Sequence, residues 1–297
     1  METILLGIFI LGYLAITLEH SLKIDKLIPA LAMMAFLWAL IAIFHIPVFE
    51  VDTELRELIP TKIKKIMAYH LSHTSEILIF LLGAMTIVEI IDYYNGFEKI
   101  KSFIRTKSKK KLLWIFSILA FILSAIIDNL TATIVLITIL QKIIRDKNLR
   151  LWFAGLIVIA ANAGGAWSPI GDVTTTMLWI ADKVTVPMLL YYVFIPSVVC
   201  MIVPVYIASF LKPFKGDLDK MDNDESSITK IGTRMLWLGL SAILFVPFFK
   251  VFTGLQPYVG MMLSLAIVAT FAEIYSGTKF NISTCLLYTS PSPRDRV

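Results

Sequence analysis

Six stretches of this 297-residue chain, residues 3–18, 27–44, 75–92, 187–211, 235–252 and 256–274, are apolar over nearly the length a helix needs to cross a bilayer. About 20 apolar residues cover about 30 Å of hydrocarbon. Lipid offers the backbone no hydrogen bonds, so runs of this kind fold as helices. Hydrophobic residues make up 58% of the chain and charged ones 16%, with a mean hydropathy of +0.80. Soluble domains are roughly 45–50% apolar and roughly 25% charged. A disordered chain, a nucleic-acid-binding domain and most soluble enzymes are thereby excluded, and an all-α polytopic membrane protein is expected. No P-loop Gly-Lys-Ser/Thr, G-x-S-x-G or H-E-x-x-H motif argues for an enzyme. Cys200 and Cys285 are too few for a disulfide framework or a four-ligand zinc site. Cys200, inside an apolar run, reads as a small buried side chain. The opening residues METILLGIFILGYLAI lack a basic n-region and a small-residue cleavage site, which predicts a retained first span.

Two longer regions, 112–140 and 152–181, are apolar at both ends and polar in the middle. A charged side chain near the bilayer centre costs at least about 2.5–3.5 kcal/mol. As one helix, 112–140 would be about 43 Å long, too long for one upright crossing and too short for two. A re-entrant hairpin with Asp128-Asn129 at its tip is predicted. In 152–181, the run from Asn162 to Asp172 carries three glycines and Pro169. These residues favour irregular backbone, so a helix ending near Asn162, an unwound stretch and a second half-helix opening near Asp172 are predicted. Broken helices build ion and substrate sites in secondary transporters.

Loop charges test the hairpin. Segment 93–111 holds Lys99, Lys101, Arg105, Lys107, Lys109, Lys110 and Lys111, and segment 141–151 holds Lys142, Arg145, Lys147 and Arg150. A hairpin keeps both in the cytoplasm, as the positive-inside rule prefers. Region 152–181 then crosses outward, 182–186 with Lys183 lies outside, and 187–211 returns to 212–234 with Lys212, Lys215, Lys220, Lys230 and Arg234. Loop 45–74 fits poorly, since it should lie outside yet holds Arg56, Lys62, Lys64 and Lys65. Its acids and an expected amphipathic helix soften that conflict. The run KSKKK at 107–111 reads as a topology signal.

If the two breaks meet near the midplane, they gather Asp128, Asn129, Thr131, Asn162, Ser168, Asp172, Thr174 and Thr175. These are oxygen-bearing side chains without His, Cys, Lys or Arg, a set suited to a hard cation. Desolvation disfavours an ionised carboxylate and a nearby cation favours it, so one carboxylate can exchange a proton for a metal ion. For Asn129, Thr131 or Ser168 taken singly, a structural interhelical hydrogen bond is an equal reading. Two acids at breaks in apolar runs point to function. Thr133 and Thr138 return hydrogen bonds to their own helix on the simplest reading. Glu89 and Asp92 read as interfacial. Glu76 reads as interfacial or as lining an outer entrance. His70 and His73 share a helical face without a third ligand. Glu273 cannot be placed.

The segments SAIIDNLTATIVLITIL (124–140) and FAGLIVIAANAGGAWSPIGDVTTTMLWI (153–180) closely resemble the NhaD-type sodium/proton antiporters of the ion transporter superfamily. GYLAITLEH (12–20) and SEILIFLLGAMTIVEIIDYYNGFEKI (75–100) fit the same family. The resemblance runs from about residue 5 to about residue 210. It implies export of Na⁺, and of Li⁺, driven by proton entry. The family's acid-amide pair falls on Asp128 and Asn129, its break asparagine on Asn162, and its Asp-x-Thr-Thr on Asp172, Thr174 and Thr175. Na⁺ is expected at Asp128 and Asp172, with Glu76, Thr131 and Ser168 as secondary residues and no cofactor. The implied fold is two inverted repeats, each with a re-entrant hairpin and a broken helix, assembled as a homodimer in a prokaryotic inner membrane.

On that pattern residues 1–211 form a first transmembrane half, 212–234 a cytoplasmic linker and 235–284 the start of a second half that is incomplete. Residues 285–297 read as a non-native tail, and the chain as a C-terminally truncated fragment. Two other functions are carried alongside: a related carrier for an oxyanion or dicarboxylate, and a non-transporting membrane scaffold or sensor.

Overall fold

The computed structural model describes residues 2–52, 57–101, 104, 106–218 and 229–276. The chain divides into two compact units, residues 1–72 and 73–297. In the first, α1 (Glu2–Thr17) packs on α3 (Leu27–Ile43), with the short α2 (Glu19–Leu22) between them. At 16 and 17 residues, α1 and α3 are shorter than a typical crossing helix. β1 (Val48–Asp52) and β2 (Glu57–Thr61) form an antiparallel ribbon with Phe49 opposite Pro60. The amphipathic helix expected within 45–74 is therefore replaced at its start by a ribbon. A two-stranded ribbon has only edges, so it accommodates Pro60, which cannot donate to a ladder.

From Ile63 the chain is helical through Tyr93 (α4), so the basic residues Lys64 and Lys65 ride on the same helix as the span 75–92. In the second unit, α5 (Glu98–Lys101) precedes α6 (Lys109–Ser124) and α7 (Asn129–Ile143), which are separated by residues 125–128. α6 and α7 pack on each other and both pack on α8 (Lys147–Ala166). α9 (Val173–Ile180), α10 (Val186–Ala208), α11 (Lys230–Thr253) and α12 (Pro257–Ser276) follow. Five helices, α4, α8, α10, α11 and α12, are long and apolar enough to cross a membrane. α10 leaves Tyr191, Ile195 and Tyr206 well exposed. An apolar surface of this extent requires lipid as its solvent. Cys200 shares that exposed surface, so it is not the buried side chain expected from its surroundings. In a membrane helix an apolar run gives no information about which face is inside.

The hairpin's two ends meet the basic segments. Lys109 N–H donates to Gly216 O at 3.2 Å and Leu218 N–H to Lys107 O at 2.9 Å. The Lys142 ammonium pairs with Glu98. Within 212–234, residues 212–214 form a turn of 3₁₀ helix, and α11 opens at Lys230 behind the N-cap Thr229. Arg105, Lys220, residues 277–284, Cys285 and the tail 285–297 lie outside the described residues.

The break in 152–181 falls later than predicted. α8 runs through Asn162, Gly164 and Gly165 to Ala166. Its glycines serve close packing. A Cβ on Gly164 would strike the Phe121 backbone of α6, and one on Gly165 would strike Gly171. Gly155 on the same helix has nothing within 4 Å of where its Cβ would sit. Gly164→Ala should lower the thermal unfolding midpoint in detergent, through overpacking worth about 1–3 kcal/mol. Gly155→Ala should keep or raise it by relieving a helical glycine, worth about 0.5–1 kcal/mol. A loss at Gly155 as large as at Gly164 would contradict this packing.

Candidate functional site

Both interruptions end in an aspartate that opens a helix. Asp128 is the N-cap of α7, and its Oδ1 accepts Leu130 N–H at 2.9 Å and Thr131 N–H at 3.0 Å. Asp172 is the N-cap of α9, and its Oδ2 accepts Thr174 N–H at 3.1 Å and the Thr174 hydroxyl. Each carboxylate thus satisfies amides that a helix start leaves unpaired and meets the positive end of the helix dipole. Asp128 does so with φ 88° and ψ 151°. Residues other than glycine rarely adopt that backbone, at a cost of about 1–3 kcal/mol. Non-glycine strain of this kind persists where the surroundings fix the side chain, here the two amides that hold the carboxylate.

The two breaks are tied together. Asn129, the first residue of α7, donates from Nδ2 to Asp172 Oδ1 and to Asn162 Oδ1, both at 2.9 Å. Asn162 is set by its own Nδ2, which donates to Val158 O at 2.8 Å. Beneath this trio the Ser124 hydroxyl, at the end of α6, donates to Ala161 O at 2.6 Å and is fully buried. A Cβ on Gly171 would lie 2.8 Å from Gly165 Cα and 3.0 Å from Ala125 Cα. The breaks therefore pack backbone on backbone.

Asn129, Asn162, Asp172 and Thr174 thus lie in one hydrogen-bonded neighbourhood, with Asp128 adjacent to Asn129 in the chain. Thr131 joins Asp128 through its amide. Thr175 is buried, with its hydroxyl 3.4 Å from Ala166 O across the break, and Ser168 Oγ accepts Ile170 N–H at 3.4 Å. Those two brace the unwound backbone. Glu76 lies on α4 with its carboxylate 3.8 Å from His73, and the described hydrogen bonds do not join it to the cluster. Asp128, Asn129 and Asp172 are half-buried, and Asn162 and Thr174 are exposed. No cluster of three or more His, Cys, Asp or Glu occurs among the described residues. The neighbourhood offers carboxylate, amide and hydroxyl oxygens, which match hard cations and protons.

Two contributors escaped the sequence reading. Ser124 carried a signal, a hydroxyl four residues before Asp128 in an apolar run. Lys250, near the end of α11, donates to Trp179 O at 3.2 Å and to Asp182 at 2.6 Å, and its ammonium lies 5.0 Å from the Trp179 ring. It neutralises the negative end of α9, at the pole opposite Asp172. A lone lysine inside an apolar span was its signal.

A helical, multi-pass membrane protein is the class that this fold defines. The sequence profile of the citrate transporter family (CitMHS) matches residues 13–282, and the chain belongs to that family. Within it, the chain is similar to the NhaD-type antiporters. It is 39% identical over 264 residues to sodium/proton antiporter 1 of Arabidopsis thaliana, covering 88% of this chain and 44% of that protein. It is 36% identical to sodium/proton antiporter 2 of the same plant, covering 90% and 61%. To the Na⁺/H⁺ antiporter NhaD of Vibrio cholerae it is 30% identical, covering 89% and 54%. The chain spans about half the length of these curated relatives. No solved structure matches significantly.

Lys250→Met should speed amide exchange in the last turn of α9, since a hydrogen bond to a charged group contributes about 1.5–3 kcal/mol. Asp182 is 66% exposed, and an exposed ion pair contributes only about 0–1 kcal/mol, so Asp182→Asn should change little. Hydrogen exchange with mass spectrometry reads both. Equal effects would mean that the exposed pair, not the carbonyl contact, anchors α9.

Proposed function

We propose that the full-length protein exchanges Na⁺ for H⁺ across the membrane, with Asp128 and Asp172 as the carboxylates that carry one or the other. The observation that carries this reading is that the starts of α7 and α9 are each already capped by one of the chain's own carboxylates. In transporters with broken helices, free half-helix N-termini favour anionic substrate groups, while unwound carbonyls and C-terminal ends take cations. Here the anion places are filled from within, and the surplus is negative charge beside the carbonyl ends of α6 and α8.

Asn129 supports the same reading. Its amide N–H₂ stands between Asp172 Oδ1 and Asn162 Oδ1 at 2.9 Å from each, in the position a small cation would take between two oxygens. Rotation of the amide would withdraw the donor and present its own oxygen to Na⁺. Protons arriving from the opposite side neutralise the carboxylates and release the ion. Alternation of the site between the two faces completes the cycle. Li⁺ as a second ion, Glu76 as an outer-entrance residue and assembly as a homodimer follow from the resemblance. Na⁺/H⁺ exchange is what the names of the plant and bacterial relatives describe. The bacterial relatives favour a prokaryotic inner membrane as the setting, and the plant relatives favour a eukaryotic one. α11 and α12 open the second transmembrane half on this reading.

A second reading, a carrier for a carboxylate anion, is favoured by the family's description as citrate transporters. It would require the substrate to approach two like charges. Asparagine caps helices as well as aspartate does, so Asp128→Asn and Asp172→Asn remove charge with the caps kept. In vesicles carrying the full-length protein, each should cut Na⁺-dependent dissipation of ΔpH at least tenfold. Wild-type rates in both variants would overturn the assignment. Counterflow of labelled citrate without Na⁺/H⁺ exchange would establish the second reading instead.

A further inference from the structure

Along α8, Asn148, Trp152, Gly155 and Ile159 recur at helical spacing and line a cavity of about 440 Å³, closed at one side by Ala208 of α10. Ligand clefts are about 300–1,000 Å³. Apart from Asn148, the lining is apolar. It opens among outward-facing residues, with Leu151 at 63%, Trp152 at 50% and Ile159 at 43% exposure. Gly155 forms its floor. A mid-helix glycine costs about 0.5–1 kcal/mol relative to alanine, and no protein atom comes within 4 Å of its absent Cβ. Gly155 thus differs from Gly164 and Gly165, whose missing side chains admit another part of the chain. Among the described residues nothing fills the space at Gly155.

Three lysines lie on the segments that adjoin the start of α8. Lys147 lies one turn before Leu151 on the same face and is exposed. Lys212 belongs to the 3₁₀ turn whose Phe214 ring lies 6.5 Å from that of Trp152 and 5.1 Å from that of Phe153. The Lys110 ammonium lies 4.8 Å from the ring of Phe210, at the exit of α10. The neighbouring Asp146 is committed to the α8 N-cap, where it accepts Asn148 N–H at 3.0 Å and Leu149 N–H at 3.3 Å.

We infer that this cleft between α8 and α10 binds an anionic glycerophospholipid of the leaflet that faces the basic loops. One acyl chain lies over Gly155 between Trp152 and Ile159, and the phosphate is met by Lys147, Lys212 and Lys110. Basic pockets between membrane helices on the cytoplasmic side suit anionic head groups. Small residues also mark helix-helix contacts in membranes, which makes a second copy of the chain the competing occupant. A two-fold contact here would set one lysine-bearing patch against another of the same sign, whereas a phosphate neutralises them. The site is separate from Asp128 and Asp172 and stands whether or not they exchange ions.

The test is native mass spectrometry of the detergent-purified full-length protein, titrated with phosphatidylglycerol and, separately, with phosphatidylcholine. Three variants accompany the wild type: Gly155→Leu, which places a side chain in the cleft from a Cβ position with no described protein atom within 4 Å, Lys147→Gln and Lys212→Gln. The wild type should retain phosphatidylglycerol in preference to phosphatidylcholine. Each lysine variant should lower that preference about fivefold. Gly155→Leu should lower retention of both lipids, with the thermal midpoint unchanged in lipid-free detergent. Equal retention of the two lipids by the wild type would overturn the site, as would undiminished phosphatidylglycerol in Gly155→Leu. Loss of a dimer in Gly155→Leu with lipid retention unchanged would assign the cleft to a second copy and overturn it equally.

Discussion

A helix interrupted inside an apolar layer exposes amides and carbonyls that lipid cannot satisfy. The rest of the second unit is arranged around that constraint. At both interruptions an aspartate takes the exposed amides, and glycines let the interrupted backbones touch, so the polar groups of one break become partners for the other. Ser124 on Ala161, Asn129 on Asn162 and Asp172, and Gly171 against Gly165 are successive steps of the same solution. Lys250 completes it at the far end of α9, where its ammonium joins the Asp182 N–H on the Trp179 carbonyl.

The capping role and the proposed ion-carrying role of the two aspartates rest on one property. A carboxylate that accepts two or three donors is held in place, and in Asp172 the oxygen directed at Asn129 of the partner break is the one a cation would meet. The strained backbone at Asp128 belongs to this arrangement. Its positive φ turns the chain sharply from α6 into α7 while both amides reach the same carboxylate oxygen. An apolar substitution there would remove cap and charge together, whereas asparagine separates the two.

Much of this was legible from sequence because the polar residues at the breaks stand out against apolar surroundings. Asp128-Asn129 and Asp172 mark the helix starts in the structure as they do in the sequence. The end of α8 was misread because glycine has two uses. In sequence Gly164 and Gly165 suggest unwinding, but they remain helical and admit Phe121 and Gly171. The ribbon at 48–61 was missed because its apolar and charged residues also suit an amphipathic helix. The inward or outward facing of Cys200 was not legible, since lipid accepts the same residues as a core. Ser168 and Thr175 carry hydroxyls that brace the break, a contact that sequence alone does not show.

The most direct test of competition between Na⁺ and H⁺ for these carboxylates is proton release. Na⁺ is added to the full-length protein in weakly buffered detergent solution, and the pH change is recorded. Stoichiometric release of protons on Na⁺ addition, abolished in a protein carrying Asp128→Asn and Asp172→Asn together, is the expected result. Sodium binding with no proton release, or release that survives the loss of both carboxylates, would contradict it.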